Sequence, residues 1–162
     1  MPNSGGNRGL SVMFWNKLKD TTNEKLQQKN ILDVQFANPP KNDGSYIKAK
    51  GVWKYTYWAY AVKLAETWIE FEIKQKNKKQ QQNIYDFLLM NRTKIEKSLG
   101  KKLRWNDEDI EISNRRKTGM DFRIKLISDY NLKAIPQHEE TVAEEWSNDM
   151  VNFIASISPY LQ

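Results

Sequence analysis

Apolar residues recur at helical spacing in some stretches of this chain and alternate with polar ones in others, and these two periods mark out the expected elements. Ser11 is suited to an N-cap, and after it Trp15, Leu18, Thr22 and Leu26 fall on one helical face with Phe14 beside Leu18, which predicts a first helix over roughly 11–29. ANPPKNDGS, residues 37–45, gathers Pro, Asn, Asp and Gly into a loop. From Tyr46 to Gln75 the chain is crowded with Trp, Tyr, Val and Ile, which predicts two or three strands turning near Lys50–Gly51 and near Leu64–Thr67. In the last of these Thr67, Ile69, Phe71 and Ile73 face one way and Trp68, Glu70, Glu72 and Lys74 the other, so one side is expected in the core and the other wet or available for binding.

A second helix follows the polar connector KQKNKKQQQ, with Ile84, Phe87, Leu88, Ile95 and Leu99 as its expected buried stripe. Lys94 and Lys97 lie near its negative end, and Gly100 is placed for a left-handed C-terminal cap. KKLRW then predicts a short strand, NDED a turn, IEIS another strand and NRRKTGMD a turn or hairpin tip. Phe122–Ser128 alternates cleanly, with Phe122, Ile124 and Leu126 inward. After Pro136 a last helix with an acidic first turn is expected to bury Val142, Trp146, Met150, Phe153 and Ile157. The order helix, strands, helix, strands, helix predicts an α+β fold, an antiparallel sheet of about five strands packed under three helices. Residues 1–9 are expected as a flexible tail and 10–162 as a single domain.

Composition changes this picture in three respects. A 162-residue chain is long enough to bury roughly 70% of the surface its unfolded form exposes, and six tryptophans supply bulk for the core. No cysteine is present, which excludes disulfides and thiolate metal sites, and no apolar run is long enough to span a bilayer. A cytoplasmic protein without membrane contact is therefore the expectation. The net charge of +6 is uneven: all 26 basic residues lie at or before Lys133, where they face 15 acids, while Glu139, Glu140, Glu144, Glu145 and Asp149 stand alone in the last 26 residues. A surplus of eleven positive charges over residues 1–136 points towards polyanionic partners, although lysine-rich exteriors also serve solubility.

Several residues exceed what a generic helix and strand require. Asn83, Tyr85, Asp86, Leu88, Arg92, Ile95, Glu96, Gly100, Leu103 and Trp105 match, at the same spacings, the signature of the bacterial and archaeal family called domain of unknown function 4268, which the chain resembles. Phe14-Trp15, the IEFEI strand at 69–73 with Glu70, Arg123-Ile124, and Trp146 with Pro159 agree with further family positions in the same order. The resemblance covers nearly the whole chain and implies structural roles for Trp15, Glu70, Asp86, Arg92, Glu96, Gly100, Trp105 and Trp146. In many family members this domain follows a nuclease-like domain of the PD-(D/E)XK type, in proteins associated with restriction or defence. The resemblance thus implies a nucleic-acid or nuclease context by analogy.

The chemistry visible in the chain is sparse. Glu72 and Lys74, two apart on an expected strand with Asp43 upstream, have the spacing of a magnesium-dependent nuclease, but Glu-x-Lys also arises readily in so charged a chain, where Glu70 and Glu72 would pair across strands with Arg123 or Lys125. A basic strand face is the second candidate. Lys74, Arg123 and Lys125 with some of Trp53, Tyr55 and Tyr57, together with Lys101, Lys102, Arg104, Arg115, Arg116 and Lys117, would hold phosphates and stack bases. Asp86 and Glu96 read as anchors for adjoining strands, His138 has no partner for a triad, and the acids after it complement a helix dipole. No glycine-rich phosphate loop, nucleophile elbow or zinc spacing occurs. The expectation is a non-enzymatic accessory or binding module for DNA or RNA, or for a nuclease or other defence partner, with no cofactor and no metal. A magnesium-dependent nuclease and a protein-interaction subunit or inhibitor without nucleic-acid contact are the alternatives.

Overall fold

The computed structural model describes residues 9–39, 44–53, 55–74, 77–106 and 122–161. The first helix, α1 (Val12–Gln28), starts where Ser11 Oγ accepts the Phe14 N–H at 3.1 Å, and it buries the expected face of Phe14, Trp15, Leu18, Thr22 and Leu26. Three strands follow, β1 (Tyr46–Lys50), β2 (Thr56–Val62) and β3 (Thr67–Ile73), joined by hairpin turns where Gly51 and Leu64 lie. The fourth, β4 (Phe122–Ser128), pairs with β3 after a long connection, so the sheet is antiparallel throughout in the order β1-β2-β3-β4.

The fold is α+β, with four strands and four helices among the described residues rather than five strands under three helices. KKLRW forms no strand of its own; Arg104 makes a single bridge to Lys125, with mutual backbone hydrogen bonds of 2.7 and 3.0 Å. The expected NDED turn falls almost wholly, and the expected IEIS strand and NRRKTGMD tip entirely, outside the described residues, as do Asp43, Arg115, Arg116 and Lys117 and the stretch 1–8 of the expected tail.

The expected second helix is two, α2 (Lys78–Met90) and α3 (Arg92–Leu99), separated at Asn91. There the backbone leaves helical geometry and Asn91 Nδ2 donates to the Phe87 carbonyl at 2.9 Å, the local competition that makes asparagine a poor mid-helix residue. The break rotates the apolar stripe. Leu88 and Ile95 are buried as expected, but Phe87 lies exposed and Tyr85 takes the inward place, stacked 4.4 Å from Phe122. Gly100 closes α3 at a φ of 76°, donating its N–H to the Glu96 carbonyl.

The last helix, α4 (Glu139–Ile157), buries Val142, Trp146, Met150, Phe153 and Ile157 against α1 and the inner face of the sheet. Trp58 of β2 meets Phe71 at 4.4 Å and Phe153 edge-on at 5.2 Å, while Trp146 meets Tyr60 at 4.8 Å and Trp15 at 6.4 Å. Lysines of α1 meet the acids of α4, with Lys17 to Glu140 at 3.3 Å and Lys25 to Glu144 at 2.9 Å. The helices cover one face of the sheet; the site lies on the other.

Candidate ligand cradle on the open sheet face

Alternation along β2 turns Trp58 and Tyr60 into the core and leaves Tyr57, Ala59 and Ala61 on the opposite face. The register then sets three rows across that face. Tyr46, Ala61, Trp68 and Ile127 form one, Lys48, Ala59, Glu70 and Lys125 the next, and Lys50, Tyr57, Glu72 and Arg123 the third. Because two alanines occupy the middle of the first two rows, a depression of about 270 Å³ opens above them, bordered by Tyr46, Lys48, Lys63, Trp68, Glu70 and Arg123.

This face of β3 is not wet. Trp68, Glu70 and Glu72 are 3%, 3% and 0% exposed, because β3 is an interior strand and long side chains from its neighbours lie over it. Arg123 Nη2 comes within 2.7 Å of Glu72 Oε2 as an ion pair without aligned hydrogen-bond geometry, and Lys48 and Lys74 reach Glu72 Oε1 at 3.2 and 3.9 Å. Trp68 Nε1 donates to Glu70 Oε1 at 2.7 Å, with Arg123 Nη1 3.6 Å from the same oxygen. Lys125 Nζ lies 4.3 Å from the centre of the Trp68 ring, and Lys48 sits between the rings of Tyr46 and Tyr57 at 5.2 and 5.4 Å.

Burial pushes the Glu70 carboxyl above the ordinary range. Arg123, the Trp68 hydrogen bond and Lys125 pull it back, and the neighbouring Glu72 raises it further. A carboxyl whose folded-state pKa is raised binds its proton more readily in the native state, so its burial penalty is felt at neutral pH and lifts as the pH falls through that raised value. Glu70→Gln is therefore expected to unfold at a higher temperature than the wild type at pH 7. The gap should narrow as the pH is lowered towards 4.5, measured by thermal melts across the range; a gap that widens on acidification would contradict the assignment.

The residues singled out in the sequence separate into distinct groups. Arg123 and Lys125 lie on the open face but are engaged with carboxylates and Trp68, while Lys74 stands at its border. Arg104 pairs with Glu66 at 2.7 Å beside β4; Lys101 turns away to Asp149 of α4 at 3.0 Å, and Lys102 is exposed. Of the aromatics, Tyr57 shares the face, whereas Trp53 and Tyr55 belong to the β1–β2 turn. Glu72 and Lys74 do approach one another, but Glu72 is enclosed by three cations, and among the described residues no three acidic or histidine side chains gather around a common point. Lys48, Ala59 and Ala61 are not among the residues the sequence singles out; for the two alanines the small-residue alternation in TYWAYAV is the one visible signal.

The signature residues build the frame. Glu96 ties down the segment after α3, its Oε2 accepting the Leu103 N–H at 2.7 Å while Oε1 takes Arg92 Nε at 3.3 Å. Arg92 in turn lies 5.7 Å from the centre of the buried Trp105 ring, and Tyr85 Oη accepts the Asn106 N–H at 3.0 Å. Asp86 does not anchor a strand; it is exposed and accepts from Gln82 one turn earlier. Together these contacts deliver the segment ending in Asn106 to the edge of β4, where Asn106 Oδ1 accepts the Arg123 N–H at 3.1 Å.

Fold and cradle define an α+β protein with one helix-covered face and one charged, aromatic-flanked open face. Residues 10–161 match the family described as domain of unknown function 4268, and the chain belongs to that family. Neither a curated protein nor a solved structure matches it. Among the described residues no helix is long and apolar enough to cross a membrane.

Proposed function

We propose that the protein is a non-enzymatic module that binds nucleic acid through the open face of its sheet. The observation that carries this reading is the cationic surplus of that face. Among the described residues, the open face and its border hold Lys48, Lys50, Lys63, Lys74, Arg104, Arg123 and Lys125 against Asp33, Glu66, Glu70 and Glu72, a surplus of three positive charges. The acids of α4 lie on the opposite layer, where Glu140, Glu144 and Asp149 pair with lysines. A phosphate backbone is attracted to a face with that surplus. Carboxylates on the open face hold the cations in fixed positions, and the aromatic rings between them offer packing surfaces for bases.

Binding of a fluorescent single-stranded decamer, followed by anisotropy, tests the proposal. Neutralisation of about three phosphates on a single strand gives an expected loss in affinity of roughly 20-fold between 50 and 200 mM salt. The double reversal Lys50→Glu with Lys74→Glu is expected to weaken binding at least as much. Affinity indifferent to salt, or unchanged in the double variant, would overturn the proposal.

A further inference from the structure

The cross-strand rows that border the depression differ in kind. Ala61 stands between Tyr46 and Trp68, so one row is an apolar floor between two rings. Ala59 stands between Lys48 and Glu70, so the adjacent row is the same floor between a cation and a carboxylate two strand spacings apart. The volume of about 270 Å³ lies just below the range of small-molecule sites, which suits one flat, polar-edged ring. An occupant that satisfies every wall has a planar face for the alanines and Tyr46, N–H donors on one edge for Glu70, and an anionic group beside Lys48 and Lys63.

We propose that this depression receives a single base splayed out of a nucleic-acid strand, selected for an exocyclic amino group by Glu70 while Lys48 and Lys63 hold the flanking phosphate. The inference rests on the nucleic-acid reading of the face and names what that face selects. Tyr46 is 48% exposed and supplies the ring against which the base packs; Trp68 is 3% exposed, covered by Lys125, and serves as the rear wall. Trp68 Nε1 fixes the orientation of the Glu70 carboxylate through Oε1. Cytosine, adenine and guanine present amino hydrogens to such an acceptor, whereas thymine and uracil present a carbonyl oxygen in the corresponding place. Burial already penalises the charged Glu70, so further donors from the ligand favour the bound state.

Oligo-dC and oligo-dT decamers of equal charge separate this inference from the one beneath it. The wild-type protein is expected to bind oligo-dC roughly tenfold more tightly than oligo-dT at the same salt concentration, the size of discrimination one well-placed base contact supplies. Ala61→Phe, which fills the floor without altering charge, is expected to bring oligo-dC down to the oligo-dT level while salt-dependent binding of both persists. Glu70→Gln, whose amide can donate to a thymine carbonyl, is expected to shift the preference towards oligo-dT. Equal binding of the two decamers by the wild type would overturn the base pocket and leave the basic face standing. Binding of neither would overturn both. An Ala61→Phe protein with the wild-type near-ultraviolet dichroism and an undiminished preference for oligo-dC would also refute the pocket, and dCMP binding as tightly as the decamer would refute a strand as its source.

Discussion

Trp146→Ala is expected to lower the unfolding free energy by about 4 kcal/mol and the melting temperature by roughly 8–16 °C. Trp146 is fully buried where α4, α1, β2 and the Tyr130 turn converge, with its ring between 4.8 and 6.4 Å from those of Tyr60, Tyr130 and Trp15. Truncation leaves a void among rings that are themselves held by the backbone of the sheet and helices and so collapse poorly into it. Trp146→Phe distinguishes packing from polarity. The indole Nε1 has no hydrogen-bond partner among the described residues, so replacing it forfeits volume but no hydrogen bond. Its expected cost is about 1 kcal/mol, close to that of other modest core truncations. Urea melts followed by tryptophan fluorescence and by dichroism give both values; equal costs for the two variants would mean that a phenyl ring recovers none of the packing the indole provides.

Glu72→Ala carries the second large effect. Its side chain has no exposure and stands within ion-pair distance of Lys48, Lys74 and Arg123. Deleting the carboxylate leaves three cations facing one another across the third row, and loss of one member from a buried ion cluster costs about 3–5 kcal/mol. The lower end, about 3 kcal/mol, applies because Lys48 and Lys74 keep 32% and 40% of their side-chain surface in water and can turn outwards. The expected fall in melting temperature is roughly 6–12 °C, and it should shrink at high salt, where repulsion among the released cations is screened. A melting temperature within 2 °C of the wild type would show that the cluster organises the surface without stabilising the fold.

Periodicity made the helical and strand stretches at both ends of the chain legible. The faces of α1 and α4 were readable because every apolar position at a spacing of three or four also packs on a neighbour, and Phe122–Ser128 because strict alternation admits one assignment. The exposure of Phe87 is not legible because helical period alone cannot register the change of direction that Asn91 introduces; with the helix broken there, Tyr85 points inwards instead. The burial of the polar side of β3 is not legible, for a different reason. Alternation shows that Trp68, Glu70 and Glu72 share a face, but their burial comes from Lys48, Arg123 and Lys125, which are distant along the chain and meet them only through the strand register. The cradle leaves only a faint trace in the sequence, the small-residue alternation of TYWAYAV, because it is made by what Ala59 and Ala61 lack.

The flanks of the sheet bear on how any macromolecule can engage it. Along β1 the Lys48 carbonyl is taken by the Ala37 N–H beside the Phe36–Ala49 bridge, and along β4 the N–H groups of Arg123 and Lys125 are taken by Asn106 Oδ1 and the Arg104 carbonyl. A guest peptide seeking to extend the sheet as an additional strand would meet main-chain groups already occupied at these positions. Any macromolecule meeting this sheet is thereby steered from backbone zippering, which tolerates almost any sequence, to side-chain chemistry, which does not.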